Sequence, residues 1–172
     1  MEGYMSMNKK LLSLILILSM ALVMIACGKK TDGENEGEEY IGEELLSNVE
    51  QSRLSADKSK LSELAYSIRI TLVEGYSDVD TILTPVRVDS EGRIEIARLF
   101  DTSTEEGKDF VKAVCDNLGA EYIKLSSKLK EDCTVRIGGF DEDKGEFTIN
   151  VESVKCGMKF DINHRGNIQE RS

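Results

Sequence analysis

Residues 61–73, LSELAYSIRITLV, decide the fold. Their apolar residues recur at steps of three and four, the spacing that places side chains on one face of an α-helix. Residues 67–73 also alternate in the manner of a strand, but the helical stripe continues through them in phase. The sequence therefore predicts a helix with one apolar face that another element must cover. The stripe consists of Leu61, Leu64, Ala65, Ile68 and Leu72.

Working outward, the helical pattern extends from Tyr40 to Val73. No proline interrupts it, and Gly75 is well placed to end it. Gly42 weakens the pattern at its start, because glycine is a poor helix former. Residues 43–57 are more polar than the rest, so we expect this half to project beyond the core. On that polar half, Glu50 is expected to matter little for stability.

The apolar partner of the helix lies in the C-terminal part, where three stretches alternate apolar and polar residues. They predict an antiparallel meander over residues 133–139, 147–154 and 158–163. Two turns, at 141–145 and at Cys156-Gly157, set the strand registers and put the apolar side chains of all three strands on one face. The predicted neighbours are Val135 with Val151, Ile137 with Ile149, and Val151 with Ile162. The fold class is therefore α+β, with the long helix packed on an antiparallel sheet.

The middle of the chain adds shorter elements. Residues 82–88 and 93–99 resemble strands separated by a turn at 89–92, and Pro85 indicates an edge strand or a bulge. Ser103 with Glu106 forms a capping-box pattern that predicts a helix over residues 104–118. Its apolar face carries Phe110, Val111, Val114, Cys115 and Leu118, and it ends at Gly119.

The N-terminal region has the three-part pattern of a secretory signal peptide. Lys9 and Lys10 precede an apolar run of sixteen residues, 11–26, and then Cys27. As a helix the run would be about 24 Å long, and a transmembrane span needs about 20 apolar residues. Cleavage is therefore favoured over the alternative, a retained transmembrane helix. Met7 is an alternative start for the same segment.

The end of that run, MIAC at residues 24–27, resembles the lipobox of bacterial lipoproteins. The resemblance implies cleavage between Ala26 and Cys27 and a diacylglycerol group on the Cys27 thiol. Met24 stands where leucine is usual. Two acyl chains suffice for stable anchoring, so the resemblance implies a protein held at the extracytoplasmic face of the cell membrane.

Composition narrows the classes of partner. Removal of residues 1–26, which hold Glu2, Lys9 and Lys10, changes the formal charge from −10 to −11. An acidic chain repels nucleic acid, so no nucleic-acid partner is expected. Residues 27–39 contain almost no apolar residue and predict a flexible acidic tether to a domain at 40–172.

Three cysteines remain beyond Cys27. Export permits a disulfide, and in the predicted register Cys133 faces Ser153, three residues before Cys156. We expect a Cys133–Cys156 disulfide with Cys115 free. Three reduced thiols are the open alternative.

No catalytic pattern is present. His164 is the single histidine, which disfavours a zinc site or a His-based triad. Residues 141–146 faintly resemble a calcium loop, but a hairpin turn fits them better. We expect no cofactor, no metal and no enzyme activity. The leading function is binding or scaffolding, and the alternative is an extracytoplasmic enzyme or small-ligand receptor whose site has no recognisable motif.

Residues 49–64, VEQSRLSADKSKLSEL, resemble the helix of type IV pilin-like proteins of Gram-positive bacteria. The resemblance implies a pilin-like domain in which this helix lies on an antiparallel sheet. It also implies association with a pilus-like or secretion system. The mature N-terminus of pilins, with its methylated phenylalanine and its glutamate, has no counterpart here. Filament assembly therefore does not follow from the resemblance.

Overall fold

The computed structural model describes residues 36–76, 79–141 and 143–171. Its first element is helix α1, Glu36–Val73. The helix therefore begins four residues before the predicted Tyr40, and residues 36–39, assigned to the tether, belong to it. The compact unit discussed below spans residues 43–172. The predicted signal peptide and the tether up to residue 35 lie outside the described residues.

The apolar stripe of α1 is buried as predicted. Leu61, Leu64, Ala65 and Ile68 are fully buried, and Leu72 is 8% exposed. The strand-like polar residues in this segment are satisfied within the helix. Ser67 Oγ donates to the Glu63 carbonyl and Thr71 Oγ1 to the Ser67 carbonyl, each at 2.9 Å. The first half of α1 is exposed, as expected, at Leu45, Leu46 and Val49.

The strands of the described chain are short and antiparallel. One sheet has five strands in the order β1-β4-β5-β6-β7, and β2 and β3 form a separate pair. This confirms the α+β class, with one long helix and an antiparallel sheet. The strands are β1 (Val86–Arg87), β2 (Arg93–Glu95), β3 (Tyr122–Lys124), β4 (Thr134–Asp141), β5 (Glu146–Ser153), β6 (Met158–Asn163) and β7 (Ile168–Glu170).

The predicted β4–β5 register is confirmed, since Val135 lies opposite Val151 and Ile137 opposite Ile149. The predicted β5–β6 register is wrong by two residues. Val151 lies opposite Phe160, because a four-residue loop, 154–157, replaces the tight turn. A shift of two residues preserves the alternation of a strand, so the inward face is the same.

The elements in the middle of the chain agree only in part with those predicted from the sequence. The turn at 89–92 is confirmed, and the Asp89 carboxylate accepts from the N–H groups of Glu91 and Arg93, both at 2.8 Å. Only residues 93–95 of the second predicted strand are extended, and Ile96–Leu99 forms a 3₁₀ helix. Pro85 directly precedes β1, which is an edge strand, as its position indicated.

Helix α2, Glu105–Leu118, is present as predicted but has a different cap. Thr104 Oγ1 accepts from the Gly107 N–H at 3.0 Å, so Thr104 rather than Ser103 is the N-cap. The Ser103 N–H is held by the Asp101 carboxylate, which places Ser103 in the turn before the helix. Gly107 sits directly on this turn, and a Cβ there would lie 2.0 Å from the Asp101 carbonyl oxygen.

The buried side chains form one core. It joins the α1 stripe, the inner residues of α2 and the inward face of the five-stranded sheet. Phe100 and Phe110 meet edge to face, with their ring centroids 5.0 Å apart. At the far edge of the sheet, Lys58 of α1 pairs with Glu170 of β7 at 2.8 Å. Strand β7 was not predicted, because its three residues are all exposed and carry no apolar pattern.

Candidate functional site

The predicted site residues fall into two groups. Ala26 and Cys27 lie outside the described residues, so cleavage and lipidation remain predictions. The other cysteines are described, and all are free thiols in this structure. Cys133 is buried immediately before β4, Cys156 is half-buried in the β5–β6 loop, and Cys115 is half-buried on α2. The Cys133–Cys156 disulfide therefore also stays a prediction.

Cys133 lies in an environment that keeps its thiol protonated. Burial, the nearby Asp132 and Asp57 carboxylates and the Cys156 thiol raise its pKa to about 12. A reactive thiol needs a depressed pKa and some exposure. Cys133 has neither, so it is a poor nucleophile.

The Asp57 carboxylate, one of the groups that raise this pKa, has no exposed surface. It accepts from the N–H of Ser126 at 2.9 Å, from the Ser126 hydroxyl at 3.0 Å and from the N–H of Ser127 at 2.8 Å. Burial works to raise the pKa of Asp57, but the hydrogen bonds from Ser127 and Ser126 outweigh it and lower the pKa. The Lys60 ammonium, 3.3 Å from Oδ1, balances the charge.

Glu50 of α1 binds the residue that follows Ser127. Its Oε1 accepts from the Lys128 N–H at the start of a 3₁₀ helix, Lys128–Glu131. We call residues 125–133, which join β3 to β4, the connector. The expectation that Glu50 matters little for stability stays a prediction. The carboxylate does have a partner, however, because it accepts a hydrogen bond at the exposed start of this 3₁₀ helix.

Asp132, the residue before Cys133, joins the connector to the β5–β6 loop. Its carboxylate accepts from the Ser153 hydroxyl and from the Lys155 N–H, the latter at 2.7 Å. The Ser153 hydroxyl bond and the Lys155 bond lower the pKa of Asp132. Ser153 Oγ also accepts from the Cys156 N–H at 3.3 Å. The β5–β6 loop is therefore tied to the end of the connector.

The sequence carried a signal for one of these groups. Asp57 stands four residues before Leu61, in phase with the buried stripe, and a carboxylate on a core-facing stripe needs buried donors. The donors were harder to foresee. Ser126 and Ser127 lie roughly 70 residues away, in a stretch with no regular pattern.

An open cleft of about 810 Å³ lies beside α2. Lys108 and Lys112 of α2 lie on its lining together with Glu95 and Glu121. Its apolar lining includes Val111 and Tyr122. Cys115 also faces the cleft, where burial and the nearby Glu121 and Asp116 raise the pKa of its thiol. A cleft of this size and mixed polarity could admit a small ligand.

Other sequence features have structural roles. Asp141 accepts from the Lys144 N–H at 3.2 Å and pairs with its ammonium, as a hairpin turn requires. The His164 ring meets Phe147 edge-on, with the centroids 6.4 Å apart. Among the described residues, no group of three or more His, Cys, Asp or Glu side chains could hold a metal ion. Within the same residues, no helix combines the length and apolar character needed to cross a membrane.

Comparisons with protein-family models, with curated proteins and with solved structures found no match to this chain.

Proposed function

We propose that the protein is a lipid-anchored lipoprotein of the extracytoplasmic face whose α+β body binds or scaffolds another protein. One observation carries this proposal. Lys9 and Lys10, the short apolar run and the Ala26-Cys27 junction stand in the order and spacing of a lipoprotein signal peptide.

The chemistry of the body agrees with a non-enzymatic role. The buried carboxylates of Asp57 and Asp132 are occupied by backbone and serine donors. Burial and these nearby carboxylates raise the pKa of the Cys133 thiol to about 12, which favours its protonated form. These groups secure loops to the core, so their arrangement supports structure rather than catalysis.

The pilin-like interpretation is the finer part of the proposal. It is supported by the segment at residues 49–64 and by the order of a long helix followed by an antiparallel sheet. The N-terminal chemistry of pilins is absent from the sequence, so we propose a pilin-like body that docks on a pilus-like or secretion machine from a lipid anchor. It need not polymerise.

Metabolic labelling with a fatty-acid probe tests the anchor. The wild-type protein should take up the probe, and Cys27→Ser should not. Cys156→Ser is the matched control, because it removes a different thiol and should label as the wild type does. Equal labelling of Cys27→Ser and wild type would overturn the anchor. A crosslinked pull-down from native membranes then tests the partner, and recovery of filament or secretion components is the expected result.

A small-ligand receptor is the second candidate, favoured by the cleft beside α2. Here Lys112 and Glu121 would contact charged groups of a ligand while Val111 and Tyr122 contact its apolar part. Nuclear magnetic resonance titration with a library of metabolites tests it. Shifts confined to the cleft and lost in Tyr122→Ala would favour the receptor, and no saturable shift would exclude that library.

A further inference from the structure

Helix α1 leaves the body of the domain at its N-terminal end. Between Leu45 and Arg53, all described side chains are exposed except that of Glu50, which is half-buried. Leu45 is 64% exposed and Leu46 is 71% exposed. Tertiary packing therefore contributes little to the helix here, and helical segments of this length are marginal on their own.

Glu50 is the first described side chain of α1 that hydrogen-bonds to another element. It binds the Lys128 N–H, and two turns later Asp57 binds the N–H groups of Ser126 and Ser127. The two carboxylates thus engage three successive N–H groups at the start of the connector. Free N–H groups at the start of a helix or turn favour a negative partner, and the N–H of buried Ser127 has Asp57 as its partner.

A cation lies near each of the two acids. Arg53 lies 4.0 Å from Glu50, and Lys60 lies 3.3 Å from Asp57. Lys60 also donates to the Lys124 carbonyl at 2.6 Å, which adds a third tie between α1 and the residues just before the connector. Both acids belong to the segment at residues 49–64, so the structure gives that segment a local physical role.

We infer that Glu50 and Asp57 form a two-point clamp on the connector, and that this clamp sets how far the exposed arm of α1, residues 45–53, stays helical. Glu50 is the outer point and limits fraying of the arm. Asp57 is the inner point and stops fraying from reaching the buried stripe. The clamp belongs to the body of the domain and acts whether or not Cys27 carries lipid.

Hydrogen–deuterium exchange of the full-length chain in mild detergent tests the clamp. In Glu50→Ala, the amides of residues 47–53 should exchange about tenfold faster, the effect of losing one hydrogen bond to a charged group. In Asp57→Ala, fast exchange should extend to about Ser59. Alanine is the better helix former at both positions, so intrinsic propensity alone predicts the opposite sign.

Glu63→Ala is the matched control, since Glu63 is an exposed acid on the same helix. Its exchange should equal that of the wild type. Unchanged exchange over residues 47–56 in both clamp variants would overturn the inference, and so would an equal acceleration in Glu63→Ala. Should Asp57→Ala fail to fold, Glu50→Ala decides the matter by itself.

Discussion

At the scale of single residues, the balance at Asp57 is between burial and hydrogen bonding. A buried carboxylate is costly unless donors replace the water it has lost. Ser126 and Ser127 supply three such donors. Because they bind the charged form, the folded-state pKa lies below the ordinary value of 3.8 despite the burial. The stabilisation is therefore fully present above the unfolded-state pKa and is lost as the pH falls through the lower, folded-state pKa.

We therefore predict that Asp57→Ala lowers the free energy of unfolding at pH 7 by about 3 kcal/mol, because it removes these bonds and leaves buried N–H groups unsatisfied. The difference from the wild type should shrink as the pH falls from the unfolded-state pKa through the lower folded-state pKa, because the wild-type carboxylate gains its proton over that window. Denaturant titrations at pH 7 and near pH 3 measure both values. Asp109→Ala, at an exposed position on α2, should change little at either pH. A pH-independent loss at Asp57 would contradict the electrostatic explanation.

The cysteines give a second prediction at this scale. Cys133 and Cys156 lie close enough for one thiol to raise the pKa of the other, and Cys115 lies apart on α2. We predict a Cys133–Cys156 disulfide in the exported protein, with Cys115 free. The oxidant is the disulfide of an extracytoplasmic thiol oxidase: the more accessible Cys156, as thiolate, attacks one of its sulfurs and releases the other as a thiol. The Cys133 sulfur then displaces the remaining oxidase thiol to close the bridge, so the oxidase is reduced by two electrons. Non-reducing peptide mapping decides it. A bridge that includes Cys115 would contradict the pairing, and three reduced thiols is the other outcome.

At the scale of elements, the sequence predicted the helix and the strand pairing that depend on a regular repeat of apolar residues. The stripe from Leu61 to Leu72 repeats often enough to fix both the helix and its buried face. The β4–β5 register followed from two apolar pairs flanking one turn. The β5–β6 register did not, because loops of two and four residues leave the same side chains inward, and parity cannot choose between Phe160 and Ile162 as the neighbour of Val151.

The apolar repeat did not predict the features that depend on polar contacts or on contacts between residues far apart in the chain. Strand β7 is exposed on every residue, so no apolar alternation marks it. The cap of α2 was misplaced because Ser103 and Thr104 are both good N-caps. The structure distinguishes them, because Thr104 Oγ1 accepts from the Gly107 N–H while Ser103 lies in the turn held by Asp101. The clamp on the connector likewise joins residues about 70 positions apart, which local sequence patterns do not register.

The packing of α1 on the sheet predicts which substitutions on this helix unfold the domain. Leu64 is fully buried in the core, so Leu64→Asp would place a charge with no partner among apolar side chains. We expect a loss of more than about 4 kcal/mol in unfolding free energy, enough to unfold a domain of ordinary stability. Circular dichroism on heating measures it. Tyr66→Asp, on the exposed face two residues away, is the control and should melt near the wild type. An unchanged melting temperature for Leu64→Asp would contradict the packing.

At the scale of the whole molecule, the negative charge of the chain opposes its attachment to an anionic membrane. The chain without residues 1–26 carries a formal charge of −11, because the removed segment contributes one net positive charge to the total of −10. Anionic lipid surfaces repel such a chain. Under the proposed function, attachment must therefore come from the lipid on Cys27, with no help from electrostatic attraction.

This opposition predicts how the protein behaves in cell fractionation. The wild type should sediment with membranes, stay there in 1 M salt and be released by detergent. Salt of about this concentration shortens the screening length to roughly 3 Å, so it would detach a protein held by surface charge. Here it only weakens repulsion between the acidic body and the lipid headgroups. Cys27→Ser, which keeps the same charge, should appear in the soluble fraction at every salt concentration. Release of the wild type by salt alone would show that ionic contacts hold it, and the lipid-anchored function would then be wrong.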